Sequence, residues 1–96
     1  MAEALWIANV DVQNAEKYAE YAAIASVVLP EHGGEFIARA GRYVQLEGRD
    51  FPRNVVAKFP SVEAAVAAYN DPRYQEAVKI AKSASTRELM VVETTD

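Results

Sequence analysis

The stretch LWIANVDV, residues 5–12, decides the fold of this 96-residue chain, because both faces of the strand it predicts begin with apolar side chains. One face carries Leu5 and Ile7, and the other carries Trp6, Ala8, Val10 and Val12. A strand that is apolar on both faces is typical of the middle of a sheet that is covered on both sides. We therefore expect a central strand.

A helical period follows this strand, from about Asn14 to Leu29. Its apolar stripe is made of Tyr18, Tyr21, Ala22, Ala25, Val28 and Leu29. Asn14 suits the N-cap position. Pro30 either ends the helix or kinks it into one last turn, and Gly33 or Gly34 then supplies the left-handed stop.

Two strands are predicted next, over residues 35–47 and 53–59, with a turn at residues 48–52 between them. Gly41 interrupts the alternation of the first of these strands and is interpreted as a β-bulge.

The remaining elements are a broken helix and a last strand. Ser61 caps a helix that NDP, residues 70–72, interrupts, with Asp71 as the next cap and Pro72 at the first helical position. Residues 87–93 then form the last strand. The predicted order is βαββαβ with the second helix in two parts.

This order predicts one α+β domain over residues 1–96, a ferredoxin-like sandwich whose four-stranded antiparallel sheet has its helices on one face. We assign Trp6, Ala8 and Val10, together with Val56, Met90 and Val92, to an apolar second face that the helices leave open. Such a surface is uncommon on a monomer, so we predict a homodimer that packs sheet against sheet.

Composition excludes several classes of protein. The absence of cysteine removes disulfides, thiolate nucleophiles and cysteine-ligated metals. A net charge of -4 argues against nucleic-acid binding. No secretory leader or membrane-spanning stretch is visible, and we expect a soluble, cytoplasmic protein.

Residues 36–60 differ from the acidic remainder of the chain, because they carry five basic and two acidic side chains. This local charge is typical either of a solvated hairpin or of a patch that faces an anion.

Three segments resemble the bacterial family known as domain of unknown function 1330: WIANVDV, YAEYAAIASVVLPEHGGEFIARAG and FPSVEAAVAAYNDPRYQEA. The resemblance spans about Trp6 to Glu93. It implies the dimeric α+β barrel fold, in which two ferredoxin-like subunits pack their sheets together, and it implies no reaction. The wider superfamily includes cofactor-free monooxygenases, isomerases, haem-using enzymes and ligand-sensing domains, whose enzymes hold substrate between sheet and helices.

His32 is the only histidine and therefore the first candidate for acid or base catalysis. Continued helical phase predicts that it lies at the rim of the cleft between helix and sheet. The alternative is a histidine that caps the last turn of the helix. A metal site with Glu31 or Glu35 is not expected, because the glycine pair breaks the helical register and no second histidine exists.

Arg39 is the second catalytic candidate. On a regular strand it shares a face with Ile37, whereas Phe36 lies on the other face. It is either paired with Glu47 or Glu35, or it provides a guanidinium that grips a carboxylate or enolate.

Several tyrosines fall on the inward stripes of the helices, and these side chains are either core residues or polar groups of a small-molecule site. The predicted substrate-binding residues are Tyr18, Tyr21, Tyr69 and Tyr74, together with Asn9 from the first strand.

Two functions stay open at this point. One is an enzyme for cofactor-independent oxygenation or isomerisation of a small apolar or anionic molecule, with His32 as acid or base and Arg39 holding negative charge. The other is a non-catalytic ligand-binding or stress-associated module. Neither function requires a cofactor or a metal.

Overall fold

A computed structural model describes residues 2–96. Its seven elements are β1 Ala4–Val12, α1 Ala15–Glu31, β2 Glu35–Arg39, β3 Arg53–Phe59, α2 Val62–Asn70, α3 Pro72–Ala84 and β4 Ser85–Glu93. The strands form one antiparallel sheet in the order β2-β3-β1-β4. The predicted ferredoxin-like α+β fold is confirmed, with β1 in its interior.

The helices begin and end where the capping residues predict. Asn14 accepts a hydrogen bond from the backbone of Lys17, and Ser61 accepts one from the backbone of Ala64. Pro30 lies within the last turn of α1, and Gly33 then takes a positive φ of 90°. Of the two outcomes foreseen at Pro30, the chain adopts the one last turn.

The core lies between the helices and the even-numbered side chains of β1. Trp6, Ala8 and Val10 are buried there, and Trp6 packs edge-on against Tyr74 with 5.3 Å between the ring centroids. The assignment of these three residues to the open face is wrong. In register, Ile7 lies opposite both Val56 and Met90, so Leu5 and Ile7 form the open face with Val56, Met90 and Val92. The reason is strand parity: odd-numbered and even-numbered side chains of a strand point to opposite faces of the sheet. An assignment that is wrong by one residue therefore exchanges the two faces.

The second strand is shorter than predicted. It ends at Arg39, Ala40 takes a left-handed φ of 57°, and residues 40–52 form no regular element. The bulge is not at Gly41 but at Ile37, because Phe36 pairs with Ala57 and Ala38 pairs with Val56. Because of this extra residue, the side chains that follow it in β2 point to the opposite faces from those of a regular strand.

Gly34 provides a test of packing at the junction of α1 and β2. A Cβ atom there would lie 2.7 Å from the ring of Phe59, which is 1% exposed, and 2.8 Å from the carbonyl oxygen of Leu29. We expect Gly34→Ala to lower the free energy of unfolding by about 1–3 kcal/mol, because the buried ring cannot move aside freely. Urea unfolding at a fixed protein concentration measures the change.

Gly41→Ala is the matched control, since no atom beyond its chain neighbours lies within 4 Å of the point that a Cβ atom would occupy there. Its free energy of unfolding should stay within about 0.5 kcal/mol of the parent value. Equal losses in both variants would contradict the packing argument.

Candidate functional site

A narrow cleft lies between α1 and the helix-covered face of the sheet, and we call it the helix–sheet cleft. Aromatic rings of Trp6, Tyr18, Tyr21 and Phe36 form much of its wall, and Arg39 and Arg53 are its charged members. Its volume is about 20 Å³, which is room for about one water molecule. Binding of a larger molecule therefore requires a side chain to move.

Two arginines flank the central strand on its helix-covered face, and of these Arg53 lines the cleft. Arg53 on β3 and Arg87 on β4 both lie opposite Val10, so their side chains share the helix-covered face. The Arg87 guanidinium lies 4.6 Å from the ring centroid of Tyr21, and that of Arg53 lies 5.4 Å from the centroid of Tyr18. The contacts are cation–π interactions, which offset part of the cost of burying a charge.

The hydroxyl groups of the tyrosines converge on Arg87. The hydroxyl oxygens of Tyr21 and Tyr74 are 2.8 Å apart, and Nη2 of Arg87 donates to the Tyr74 oxygen at 2.9 Å. Burial, and next the neighbouring Tyr21, raise the pKa of the Tyr74 hydroxyl well above its ordinary value. Burial likewise raises the pKa of Tyr18. These two hydroxyls therefore stay protonated at neutral pH.

Arg39 reaches the cleft because of the bulge in β2. It lies opposite Val55, on the same face as Phe36, and its guanidinium carbon stands 4.3 Å from the Phe36 ring centroid. Its Nη2 donates to the hydroxyl of Ser26 on α1. The face predicted for Arg39 is thus wrong, for the reason of parity given above, and its partner is a serine rather than Glu35 or Glu47.

Asn9 does not join the tyrosines. It belongs to the odd-numbered side chains of β1, which point to the open face, and its amide nitrogen donates to the side-chain oxygen of Asn54 at 2.8 Å. The expectation that Asn9 lies beneath the helices is wrong on grounds of strand parity.

Tyr69 lies beside the cleft rather than in its wall. Its ring packs against Trp6 and Tyr74, with centroid distances of 6.2 and 5.6 Å, and it faces a groove between α2 and β4. Tyr18 and Tyr21 line the cleft, while Tyr74 contacts it through the hydroxyl of Tyr21.

His32 lies at the junction of α1 with α3 and not at the cleft rim that the helical phase predicted. As the C-cap of α1, it places Nε2 3.0 Å from a carboxylate oxygen of Asp71, the N-cap of α3. Arg73 bonds the same carboxylate and also Glu31, at 2.9 and 2.7 Å. The hydrogen bond from Arg73, and next that from His32, hold the pKa of Asp71 well below its usual range.

Arg53 and Arg87 are the residues that sequence reasoning missed. The signal was present, since Arg53 shares its parity with Val55 and Ala57, and Arg87 shares its parity with Leu89. An arginine in phase with core residues indicates a charge on the covered face. To recognise that these arginines lie on the covered face, one must first know which side chains of β1 point to the helices.

Over residues 2–96, no three side chains of histidine, aspartate or glutamate approach closely enough to hold a metal ion. Within the same range, no helix is both long and apolar enough to span a bilayer.

Comparison with known proteins agrees with the fold. A family model described as "Domain of unknown function (DUF1330)" matches residues 3–95. No curated protein matches the chain. Among solved structures, a protein of unknown function from Rhodopseudomonas palustris is similar, with 24% identity and a TM-score of 0.82 over 99% of this chain and 84% of that one.

Two other solved structures share this fold. A dimeric ferredoxin-like protein of unknown function from Jannaschia sp. CCS1 has 16% identity and a TM-score of 0.77, over 96% of this chain and 99% of that one. SnoaB, a cofactor-independent oxygenase from Streptomyces nogalater, has 16% identity and a TM-score of 0.68, over 100% and 96%.

The contacts of Asp71 predict a dependence of stability on pH. Because the pKa of Asp71 is lower in the folded chain than in the unfolded chain, its bonds stabilise the fold at neutral pH, and this stabilisation is lost as the pH falls below about 4. We expect Asp71→Asn to lower the melting temperature at pH 6 and to differ less from the parent near pH 2.

Glu76→Gln is the control, because Glu76 lies on the same helix but its side chain is 71% exposed in its pair with Lys79. Thermal unfolding followed by circular dichroism measures both variants. A difference between Asp71→Asn and the parent that stays constant with pH would contradict the role assigned to this carboxylate.

Proposed function

We propose that this chain, which belongs to the DUF1330 family, is a homodimer that binds a small, largely apolar anion in the helix–sheet cleft. The observation that carries the proposal is the set of three arginines, Arg39, Arg53 and Arg87, on the covered face of the sheet. Within residues 2–96, none of them forms a salt bridge with a carboxylate.

Unpaired buried charge is costly, and this cost is what a bound anion would relieve. Nε of Arg53 and Nη1 of Arg87 are buried without a hydrogen-bond partner in the described part of the chain. The aromatic rings around them suit an apolar body, whereas the guanidinium groups suit a negatively charged oxygen.

Arg39 is the side chain whose movement would admit a ligand. It is exposed, and its polar contact with α1 is a single bond to Ser26. Exchange of that neutral partner for an anionic oxygen strengthens the hydrogen bond, because the attraction between opposite charges is added to it. Opening of the cleft and binding of the anion are thereby coupled.

Two kinds of activity fit such a site. The fold likeness to SnoaB makes cofactor-independent oxygenation the enzyme hypothesis, with isomerisation as a related alternative, although a fold does not determine a reaction. In that case Arg39 stabilises negative charge on the substrate. Catalysis by His32 stays a prediction, and its bond to Asp71 favours a structural role instead. A non-catalytic ligand-binding or stress-associated module is the alternative.

The homodimer is proposed from the open face of the sheet. Met90 and Val92 are 57% and 43% exposed there, next to Leu5, Ile7 and Val56. A second copy packing sheet against sheet would cover these side chains. The dimeric protein from Jannaschia supports this arrangement by its fold. A cytoplasmic location stays a prediction from the sequence.

Binding is testable with the single tryptophan, Trp6, which lines the cleft. We expect 4-nitrophenolate to quench Trp6 fluorescence saturably and the uncharged 4-nitroanisole to bind more weakly. Arg39→Gln should weaken binding of the phenolate roughly tenfold or more, because a hydrogen bond to a charged group contributes about 1.5–3 kcal/mol.

Arg42→Gln removes the same charge from an exposed position outside the cleft and should leave the affinity unchanged. Equal affinities of the two variants would remove Arg39 from the site. An absence of saturable quenching in the parent would contradict the proposed function.

The dimer is tested by Met90→Lys, which places a charge in the open face. Sedimentation of the parent should give twice the chain mass of 10.5 kDa, and Met90→Lys should sediment as a monomer because the buried charge would have no partner. Val27→Lys, at a 55% exposed position on α1, is the control and should remain dimeric. A monomeric parent would contradict the proposal.

A further inference from the structure

We propose that Tyr21 donates a hydrogen bond to an oxygen of the bound anion, and that Arg87 and Tyr74 are positioning residues that direct this bond into the cleft. This inference rests on the proposed function and deepens it by naming the donor and the class of ligand. The ligand class is a small aromatic phenolate or enolate, because the aromatic rings of the cleft wall suit an aromatic body and a single hydroxyl donor suits one charged oxygen.

The direction of the hydrogen bonds follows from what each group can do. An arginine side chain only donates, so the Tyr74 oxygen accepts from Nη2 of Arg87. Tyr74 is fully buried, and a buried hydroxyl needs an acceptor for its own hydrogen. Among residues 2–96 the partner available to it is the hydroxyl oxygen of Tyr21. Either hydroxyl can donate to the other, and the order that satisfies Tyr74, the more deeply buried of the two, is Arg87 to Tyr74 to Tyr21.

This order leaves the hydroxyl hydrogen of Tyr21 without an acceptor in the described part of the chain. We call Arg87, Tyr74 and Tyr21 the relay, and Tyr21 is the member of it that lines the helix–sheet cleft. A ligand oxygen in the cleft would accept this hydrogen and complete the chain of bonds. Arg39, which lines the same cleft, would supply the opposing positive charge.

The relay is held in place by packing on both sides of Tyr21. Its ring centroid lies 5.0 Å from that of Tyr18 and 5.8 Å from that of Tyr74, and the Arg87 guanidinium stands over its face. A positive charge at the start of a hydrogen-bond chain polarises each hydroxyl along it. Tyr21 is thus a fixed donor, stronger than an isolated tyrosine and suited to an oxyanion.

The relay is tested with 4-nitrophenolate, whose absorption band moves to shorter wavelength when its phenolate oxygen accepts a hydrogen bond. Water already bonds the free phenolate, so the reference is the probe in an aprotic solvent, and relative to it the probe bound to the parent protein should show this shift. Tyr21→Phe should weaken binding about tenfold and remove the part of the shift that the tyrosine causes, while Arg39 still bonds the anion. Tyr74→Phe keeps the Tyr21 hydroxyl but removes its neighbour, so affinity should fall several-fold and the shift should become smaller.

Arg87→Met and Arg87→Lys separate a positioning role from a packing role. Lysine can still donate to Tyr74, so Arg87→Lys should recover part of the shift that Arg87→Met loses. Tyr43→Phe is the matched control, since it removes a hydroxyl that bonds Asp50 in the exposed segment outside the cleft. It should bind the probe as the parent does. Far-ultraviolet circular dichroism identifies any variant that fails to fold, and Tyr21→Phe and Tyr74→Phe keep the core volume.

The outcomes distinguish this proposal from the one on which it rests. If Arg39→Gln weakens binding while Tyr21→Phe and Tyr74→Phe match the parent in affinity and shift, the relay is overturned and the anion site stands. If the parent binds no probe, both proposals fail together. A shift reduced most in Tyr21→Phe, less in Tyr74→Phe and not at all in Tyr43→Phe supports the relay.

Discussion

The structure depends on the alternation of side chains along β1, because this strand is hydrogen-bonded on both edges and cannot rotate or slip by one residue without exchanging its two faces. Its even-numbered residues lie beneath the helices, where Trp6 is 1% exposed. Residues of β3 and β4 that pair with β1 point to the same face as their partners in β1. Arg53 and Arg87 therefore share the covered face with Val10, where both charges are partly buried beside aromatic rings.

The enclosed arginines explain why tyrosines, rather than phenylalanines, surround them. A tyrosine offers its ring face to a guanidinium and its oxygen to an N–H group, and Arg87 contacts the ring of Tyr21 and the oxygen of Tyr74. Carboxylates, the usual partners of buried arginines, are used elsewhere in this chain, at the junction where Asp71 joins His32 and Arg73. The result is a stable helix junction at one place and unneutralised positive charge at another.

The bulge at Ile37 makes the edge strand part of the same site. Without the extra residue, Arg39 would point to the open face with Ile37, and Ala38 would lie on the covered face in its place. With it, Arg39 lies over Phe36 and bonds α1 through Ser26. A local irregularity of one residue thus adds a second charge, one that can move, to the border of the cleft.

The sequence by itself determined the order of elements, the caps at Asn14, Ser61 and Asp71, and the broken second helix, because these depend on local periodicity and on hydrogen bonds within a few residues. It also identified Arg39 and the tyrosines as the residues of interest. Only the tertiary structure decided which face of β1 the helices cover, where β2 bulges, and that Asn9 and His32 lie apart from the cleft. These features depend on parity and pairing between distant strands, and a strand that is apolar on both faces carries no local signal of which face will be buried.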